Sequence, residues 1–595
     1  MLKKFILNTL SSFVGAWIAL ALTGIVAVLV IFGLVIKSAG STETESVKKN
    51  SILCLNLDGT IIEKENRMAP DYVELLQGNI EKPQTLTDIV EGLKAGAENK
   101  DIKALYIKCG IVSASPATMN AVRNAVIEFK KSGKKIIAYS PNYTLGTYYV
   151  ASVADKIFLN PYGEVMISGL GTTSLYFKSL LDKLGVSFQV VKVGTFKSAV
   201  EPYISNEMSE PARAQLDTLF GSMWGFMKEK IAESRPSLTP EKFDSIVNNM
   251  SFSSPEDFRK CRVIDSLAYE RSVNDELASI AGVDKKDLNI IGTSTLAAQV
   301  LSSMTPAVSN QIAVLYASGE IEDGNPKAID FHTLVPVILD LAENDKIKGM
   351  VLRVNSPGGS AYGSDQIGEA LDYFMKKGKP LAVSMGDYAA SGGYWISCCA
   401  DRIYADPLTI TGSIGIFGLI PNVSGLADKL GVSPQFVSTN PAANFPTLLK
   451  PMDEAQLGKM QKYVERGYDR FVNRVAKGRK MQPARVRQIA EGRVWSALKA
   501  KEIGLVDSIG SLNDAIVWTA RKAKIEDKYK TAIYPAYEPS IWDMIALENM
   551  SVSQMIRLSD TKYWDNVSAA LVRKLLARPR IMARMPEFEF WMCNN

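Results

Sequence analysis

The chain has 595 residues, enough for several domains, and its hydrophobic and charged fractions, 47% and 22%, are those of ordinary globular proteins. Its net charge of +5 is too small to indicate a nucleic-acid partner. Its six cysteines form no C-x-x-C pair and no cluster with histidine or aspartate, so the sequence indicates no metal site and no redox site.

A long apolar run comes first along the chain. Residues 13–36 (FVGAWIALALTGIVAVLVIFGLVI) contain no charge, and a helix of this length spans the ~30 Å hydrocarbon core of a bilayer. The run is too long for the apolar part of a cleaved signal peptide. The sequence therefore predicts a single transmembrane anchor within residues 1–46. Lys3 and Lys4 favour a cytoplasmic N-terminus, with the rest of the chain outside the cytoplasm.

Two copies of one pattern follow the anchor. Three pairs of segments match in order, at separations of 245, 246 and 246 residues: ENKDIKALYIKCG (98–110) with ENDKIKGMVLRVN (343–355), ADKIFLNP (154–161) with ADRIYADP (400–407), and DKLGVSFQ (182–189) with DKLGVSPQ (428–435). We therefore predict a duplicated domain, with copies at residues 47–305 and 306–540 and a tail at 541–595.

Within each copy, short apolar β-branched runs alternate with segments of helical periodicity, which predicts an α/β fold with a mainly parallel sheet. In the second copy the predicted strands are 311–317, 348–354, 379–385 and 402–406, and the predicted helices are 332–344 and 363–378. Active sites of such folds lie at the carboxyl ends of strands. Three Gly-rich turns fall there: NSPGGSA (355–361), AASGGYW (389–395) and TGSIG (411–415).

The two copies differ at the predicted chemistry. Ser391 stands between a predicted strand and helix, where serine is also a favoured N-cap, and its counterpart in the first copy is Leu145. Lys197 follows a strand-like run of the first copy, where the second copy has no basic residue. If the copies pack together, one composite site forms. The single histidine, His332, lies far from the Gly-rich turns, so a lysine held neutral by burial is the leading candidate for the base.

Four segments closely resemble the long form of the signal peptide peptidase A (protease IV) family of S49-type serine proteases: VNSPGGSAYGSDQI (354–367), GDYAASGGYWIS (386–397), TGSIGIFG (411–418) and GTFKSAVEPY (194–203). The resemblance implies a Clp-protease/crotonase-like fold, with Ser391 as nucleophile and Lys197 as general base. It also implies a homotetramer on the outer side of the bacterial cytoplasmic membrane that degrades released signal peptides. We expect no cofactor.

The glycines near Ser391 are predicted to form an oxyanion hole. Gly392 is one candidate donor, and Gly358 or Gly359 is the other, because glycine lets a backbone N–H approach the substrate closely. Ser413 is predicted to hydrogen-bond the lysine.

Three alternatives to a signal-peptide-degrading protease stay open from the sequence: a general envelope quality-control protease, a crotonase-type acyl-CoA enzyme and a non-catalytic membrane scaffold. The anchor argues against acyl-CoA chemistry, and the presence of both dyad residues argues against a scaffold. Asp387 and Tyr388, just before the serine, are candidates for lining the cleft.

Overall fold

The computed structural model describes residues 47–63, 83–248, 254–303, 309–325, 328–440, 443–535 and 580–585. The predicted anchor at residues 13–36 lies outside these ranges. Within them, no helix combines the length and the apolar character needed to cross a membrane.

The first copy is built on a seven-stranded sheet whose strands all pair in parallel, in the order β2-β1-β3-β4-β5-β7, with β8 also pairing β1. Its elements are β1 Ser51–Ile62, β2 Gln84–Thr85, α1 Leu86–Glu98, β3 Ile102–Ser113, α2 Pro116–Lys130, β4 Lys135–Thr144, α3 Leu145–Ala151, β5 Lys156–Met166, α4 Lys178–Leu184, β6 Ser187–Val193, α5 Glu201–Ile204, α6 Glu210–Ser234, α7 Pro240–Asn248, α8 Pro255–Lys260, β7 Ser266–Leu267, α9 Glu270–Ala281, β8 Ile290–Gly292 and α10 Thr293–Ser303.

The second copy has an eight-stranded sheet in the order β16-β14-β12-β10-β9-β18, with β13 pairing β12 and β17. Only the β14–β16 pair of this sheet is antiparallel. Its elements are β9 Gln311–Ser318, α11 Phe331–Glu343, β10 Ile347–Ser356, β11 Gly358–Ser360, α12 Ala361–Lys376, β12 Leu381–Ala390, α13 Gly392–Ser397, β13 Arg402–Ala405, β14 Ile410–Gly412, β15 Ile416–Asn422, α14 Ser424–Lys429, α15 Glu454–Arg479, α16 Pro483–Ile489, β16 Val494–Ser496, α17 Ala497–Glu502, β17 Ser508–Ile509, α18 Leu512–Lys522 and β18 Lys530–Tyr534.

The α/β architecture is confirmed, and every strand and helix predicted in the second copy is present. The largest difference is at β12, which continues to Ala390 rather than ending at Met385. It does so because the strand changes partners: its first half pairs with β13, and Tyr388 to Ala390 then pair with β14. This extension carries the chain to the serine.

Equivalent buried hydrogen bonds confirm the duplication. The Tyr148 hydroxyl donates to the carbonyl oxygen of Val263 at 2.8 Å in the first copy, and Tyr394 donates to Leu505 at 2.8 Å in the second. Tyr148 and Tyr394 are 246 positions apart, the separation found in the sequence. The same separation makes Leu145 the first copy's equivalent of Ser391.

A third, antiparallel sheet joins the two copies. Its order is β11-β19-β15-β6, where β19 is Arg580–Arg584 of the tail. Strand β6 of the first copy pairs along its whole length with β15 of the second, from Ser187 opposite Asn422 to Val193 opposite Ile416. The chain that leaves β6 therefore enters the second copy. The domain boundaries at 305 and 540 stay predictions. Strands from both sides of each boundary pair in this sheet.

Candidate active site

Ser391 lies in the turn between β12 and α13 with a φ of 56°, a left-handed conformation that non-glycine residues rarely adopt. Two hydrogen bonds hold this turn: Ser391 N donates to Gly412 O at 2.8 Å, and Trp395 N donates to Ser391 O at 2.8 Å. Backbone strain of this kind costs of order 1–3 kcal/mol and persists where the surroundings enforce it.

The side chain of Ser391 is not a helix cap. It occupies the N-cap position of α13 but accepts no hydrogen bond from the helix. In the first copy, the equivalent helix α3 has a complete capping box formed by Thr144 and Thr147, and Leu145 is buried. The hydroxyl of Ser391 is thus available for a different contact.

That contact is with Lys197. The Lys197 Nζ lies 2.8 Å from Ser391 Oγ, 3.0 Å from Ser413 Oγ and 3.1 Å from the Ser413 carbonyl oxygen. The lysine is 0% exposed, and burial lowers its pKa well below the ordinary lysine value. A neutral amine at this distance can take the proton of the serine hydroxyl.

The structure thus brings together the two residues that sequence divergence placed in different copies. Sheet pairing explains how: the β6–β15 ladder ends at Val193, and the chain turns into the second copy four residues later. Their assignment as base and nucleophile stays a prediction.

Sequence analysis missed the turn that holds the lysine. Phe196 N donates to Glu491 O at 2.9 Å, and a β-carbon on Gly492 would stand 2.7 Å from Cβ of Lys197. Gly492 also has a φ of 74°. Only glycine fits both the backbone conformation and the close approach. The one sequence signal for this turn was Gly492 itself, an isolated glycine between a helical segment and a strand.

Ser413 has the hydrogen bond predicted for it and two further anchors. Its N donates to Arg493 O at 2.7 Å, and its hydroxyl lies 3.2 Å from the carbonyl oxygen of Gly492. The hydroxyl therefore accepts from the lysine while donating to a fixed carbonyl.

We expect Ser413→Ala to lower the pH midpoint of activity by up to ~1 unit, because loss of an acceptor disfavours the protonated amine. The measurement is kcat against pH. Ser140→Ala removes another buried hydroxyl, which donates to Cys109 O in the first copy, and should leave the midpoint unchanged. A wild-type midpoint in Ser413→Ala would show that the hydroxyl does not act on the lysine.

The three predicted oxyanion-hole glycines also come together. A β-carbon on Gly358 would lie 2.7 Å from Gly392 N, and one on Gly392 would lie 3.1 Å from Gly359 N. Gly358 and Gly359 have φ values of 103° and 151°. A β-carbon on Gly358 or Gly359 would collide with backbone atoms, so the geometry requires glycine at both positions. Which N–H groups contact substrate stays a prediction.

Asp387 contacts the start of helix α2 in the first copy. Its carboxylate accepts from Thr118 N and Thr118 Oγ1, both at 3.0 Å, and from Asn355 Nδ2 at 2.9 Å, and it also contacts Ser115 Oγ. It supplements the N-cap of α2 in the first copy, and its place as a cleft-lining residue stays a prediction. His332 is exposed at the start of α11. Among the described residues, no group of His, Cys, Asp and Glu side chains could hold a metal ion.

Comparisons with known proteins show the family of the chain. Residues 128–284 and 373–526 match peptidase family S49. Protease 4 of Salmonella typhi is 35% identical over 87% of this chain and 85% of its own length. The chloroplastic serine protease SPPA of Arabidopsis thaliana is 27% identical over 83% of this chain and 72% of its own length.

A ClpP1 mutant from Listeria monocytogenes is 15% identical, with a TM-score of 0.24, and covers 34% of this chain and 94% of its own. The Clp-protease/crotonase-like fold class therefore stays a prediction. The family match covers a segment in each copy, and a relative more than 30% identical matches over most of both chains. The chain belongs to peptidase family S49 and is a serine protease.

Proposed function

We propose that this chain is a membrane-anchored Ser–Lys endopeptidase that degrades released signal peptides and other hydrophobic peptides. The observation that carries the proposal is the 2.8 Å contact between the fully buried Lys197 Nζ and Ser391 Oγ. Histidine is the usual base for a catalytic serine, but His332 is exposed at the start of α11.

The proposed reaction is acyl transfer. The neutral Lys197 takes the hydroxyl proton as Ser391 Oγ attacks the peptide carbonyl carbon. The N–H group of Gly392 and that of Gly358 or Gly359 stabilise the oxyanion. The C–N bond then breaks, and Lys197 returns the proton to the leaving amine. Water attacks the acyl-serine ester in the second half, giving its proton to Lys197, and Ser391 recovers its hydroxyl as the carboxylate product leaves.

The choice of signal peptides rests on two further observations. A candidate signal peptide peptidase SppA of Enterococcus faecium is 38% identical to this chain. The match covers 31% of this chain and 54% of that protein. The apolar run at residues 13–36 would hold the enzyme where signal peptides are released, with the catalytic part on the outer face of the bacterial cytoplasmic membrane. A homotetramer belongs to the same proposal.

Because the chain is a serine protease, the acyl-CoA enzyme and the scaffold are no longer alternatives. A general envelope quality-control protease differs from the proposal only in substrate range. Hydrolysis of signal-peptide-like peptides and of unfolded proteins by the same preparation would compare the two directly.

We expect Ser391→Ala in the full-length chain to lose at least ~10⁴-fold in kcat toward a fluorogenic signal-peptide-like peptide, since the acyl-enzyme cannot form. Ser397→Ala is the matched control, because Ser397 is a buried serine at the end of α13, and its hydroxyl donates to Gly393 O at 2.6 Å. Retained hydrolysis by Ser391→Ala would refute the proposed function.

A further inference from the structure

Arg493, the residue just before β16, contacts aromatic rings from both copies. Its guanidinium carbon lies 4.9 Å from the ring centre of Phe196 in the first copy and 4.4 Å from that of Trp495 in the second. A guanidinium suits such contacts because it is planar, always charged and attracted to the faces of aromatic rings. We call these three side chains the Arg493 stack, and it joins the two copies beside the candidate site.

The first ring of the stack belongs to the residue next to Lys197. Phe196 N donates to Glu491 O at 2.9 Å, and the Glu491 carboxylate accepts from Thr195 N at 3.1 Å and from Thr195 Oγ1 at 3.2 Å. These bonds hold the lysine turn on the segment that carries Arg493. Phe196 and Arg493 are half-buried whereas Lys197 is fully buried, so the stack lies where this turn meets solvent.

The rest of the stack contacts the backbone around the two serines. Arg493 O accepts from Ser413 N at 2.7 Å. Trp495 packs on Gly412, since a β-carbon on that glycine would stand 2.8 Å from Cδ1 of the indole. Gly412 O in turn accepts from Ser391 N at 2.8 Å. The stack therefore touches the backbone next to each of the three groups that meet at the lysine amine.

The amine is held by neutral groups. Its hydrogen bonds among the described residues go to oxygens of Ser391 and Ser413, and burial is the cause of its lowered pKa. The two serine turns, AASGGYW and TGSIG, contain no charged residue. The charged side chains on the segments that carry the lysine or pack against it are those of Lys192, Glu201, Glu491 and Arg493. Exclusion of water thus keeps the amine neutral, and access of water would raise its pKa.

We propose that Arg493 is a positioning residue of the reaction, whose stack with Phe196 and Trp495 keeps the Lys197 amine dry and beside Ser391. The inference rests on the proposed function, because it takes Lys197 to be the base. Arg493 acts by holding together the turns that it joins, and the proton transfer itself belongs to Lys197 and Ser391.

The test replaces Arg493 by methionine in the full-length chain, which removes the planar cation but keeps a long unbranched side chain. Water should then reach the lysine, and the pH midpoint of kcat should rise by about one unit. Below the wild-type midpoint kcat should fall about tenfold, and at high pH it should return to the wild-type value, with KM little changed. Phe196→Leu removes a ring of the same stack and should give the same shift if Arg493→Met folds poorly.

Arg487→Met is the matched control. Arg487 is an exposed arginine of α16 in the same copy, and its guanidinium carbon lies 5.5 Å from the ring centre of Tyr468. Its loss should leave the pH midpoint unchanged. If Arg493→Met and Phe196→Leu lower kcat by the same factor at every pH, the stack serves only the fold, and the inference is refuted.

Unfolding measurements separate this inference from the proposed function. Between the lowered pKa of folded Lys197 and the ordinary lysine value, the free energy of unfolding should rise with pH. A higher folded pKa narrows this window, so the total rise should be smaller in Arg493→Met than in Arg487→Met. If no variant hydrolyses peptides but the rise is smaller, the proposed function fails and the effect of the stack on the amine stands. If wild type hydrolyses peptides while neither the midpoint nor the rise changes in Arg493→Met and Phe196→Leu, the protease stands and the inference is refuted.

Discussion

Replacing Lys197 by alanine is expected to lower kcat by about 10³- to 10⁴-fold without unfolding the chain. The amine is the group closest to Ser391 Oγ among the described hydrogen-bond partners, and its loss leaves the hydroxyl without a base. Lys197→Arg should not restore activity, because a guanidinium stays protonated. Lys183→Ala, an exposed lysine on α4, is the control and should be fully active.

The pH dependence gives this prediction a second readout. Burial lowers the pKa of Lys197, and only the neutral amine accepts a proton, so wild-type kcat should rise with pH through that lowered pKa and then level. Near-normal kcat in Lys197→Ala, with the same rise, would place the base elsewhere.

The same buried amine affects stability. Between the lowered pKa in the folded state and the ordinary lysine pKa near ~10.4, the unfolded chain binds a proton that the folded chain does not. The free energy of unfolding therefore rises with pH across this window. Lys197→Met should flatten that rise in denaturant titrations, whereas an unchanged slope would mean that the lysine is charged when folded.

The second large effect is expected at the joint between the copies. Arg353 of β10 and Glu63, just after β1, form a buried two-bond ion pair with distances of 2.5 and 3.0 Å. Arg353 also donates to Ser384 Oγ and to the Met385 carbonyl oxygen. Glu63→Ala leaves this guanidinium buried without its carboxylate, so we expect a loss of about 3–5 kcal/mol in the free energy of unfolding.

Matched variants test the cause of that loss. Glu128→Ala removes a carboxylate from an exposed pair with Lys131 and should cost below ~0.5 kcal/mol. Glu63→Leu combined with Arg353→Met should recover most of the stability, because a buried ion pair replaced by apolar side chains is often neutral. A small effect of Glu63→Ala would indicate that the pair contributes little to holding the copies together.

The sequence was sufficient to predict the strands and helices of the second copy, because their apolar periodicity is local. It also pointed to Lys197 and Ser391, since a duplicated domain reveals which residues each copy keeps. The difference between Ser391 and its counterpart Leu145 supported that argument more than the Ser-Gly-Gly turn did, because such a turn fits a helix cap equally well.

Other contacts depend on segments far apart in the chain, and no local pattern encodes them. Glu63 and Arg353 are separated by 290 positions. Gly492 of the second copy packs against Lys197 of the first. The contacts of Asp387 with Ser115 and Thr118 also join segments more than 250 positions apart. The pairing of the tail strand β19 with β11 and β15 is likewise not encoded by any local pattern.

The split of the site between the copies has a consequence for biosynthesis. Lys197 leaves the ribosome long before Ser391, and the lysine's enclosure also requires Ser413 and Gly492. A nascent chain that ends before Gly492 therefore cannot enclose Lys197 beside Ser391 as the finished protein does. The strand at residues 580–584 is translated later still, so the sheet that joins the two copies gains β19 only after every residue around the Lys197–Ser391 pair has been synthesised.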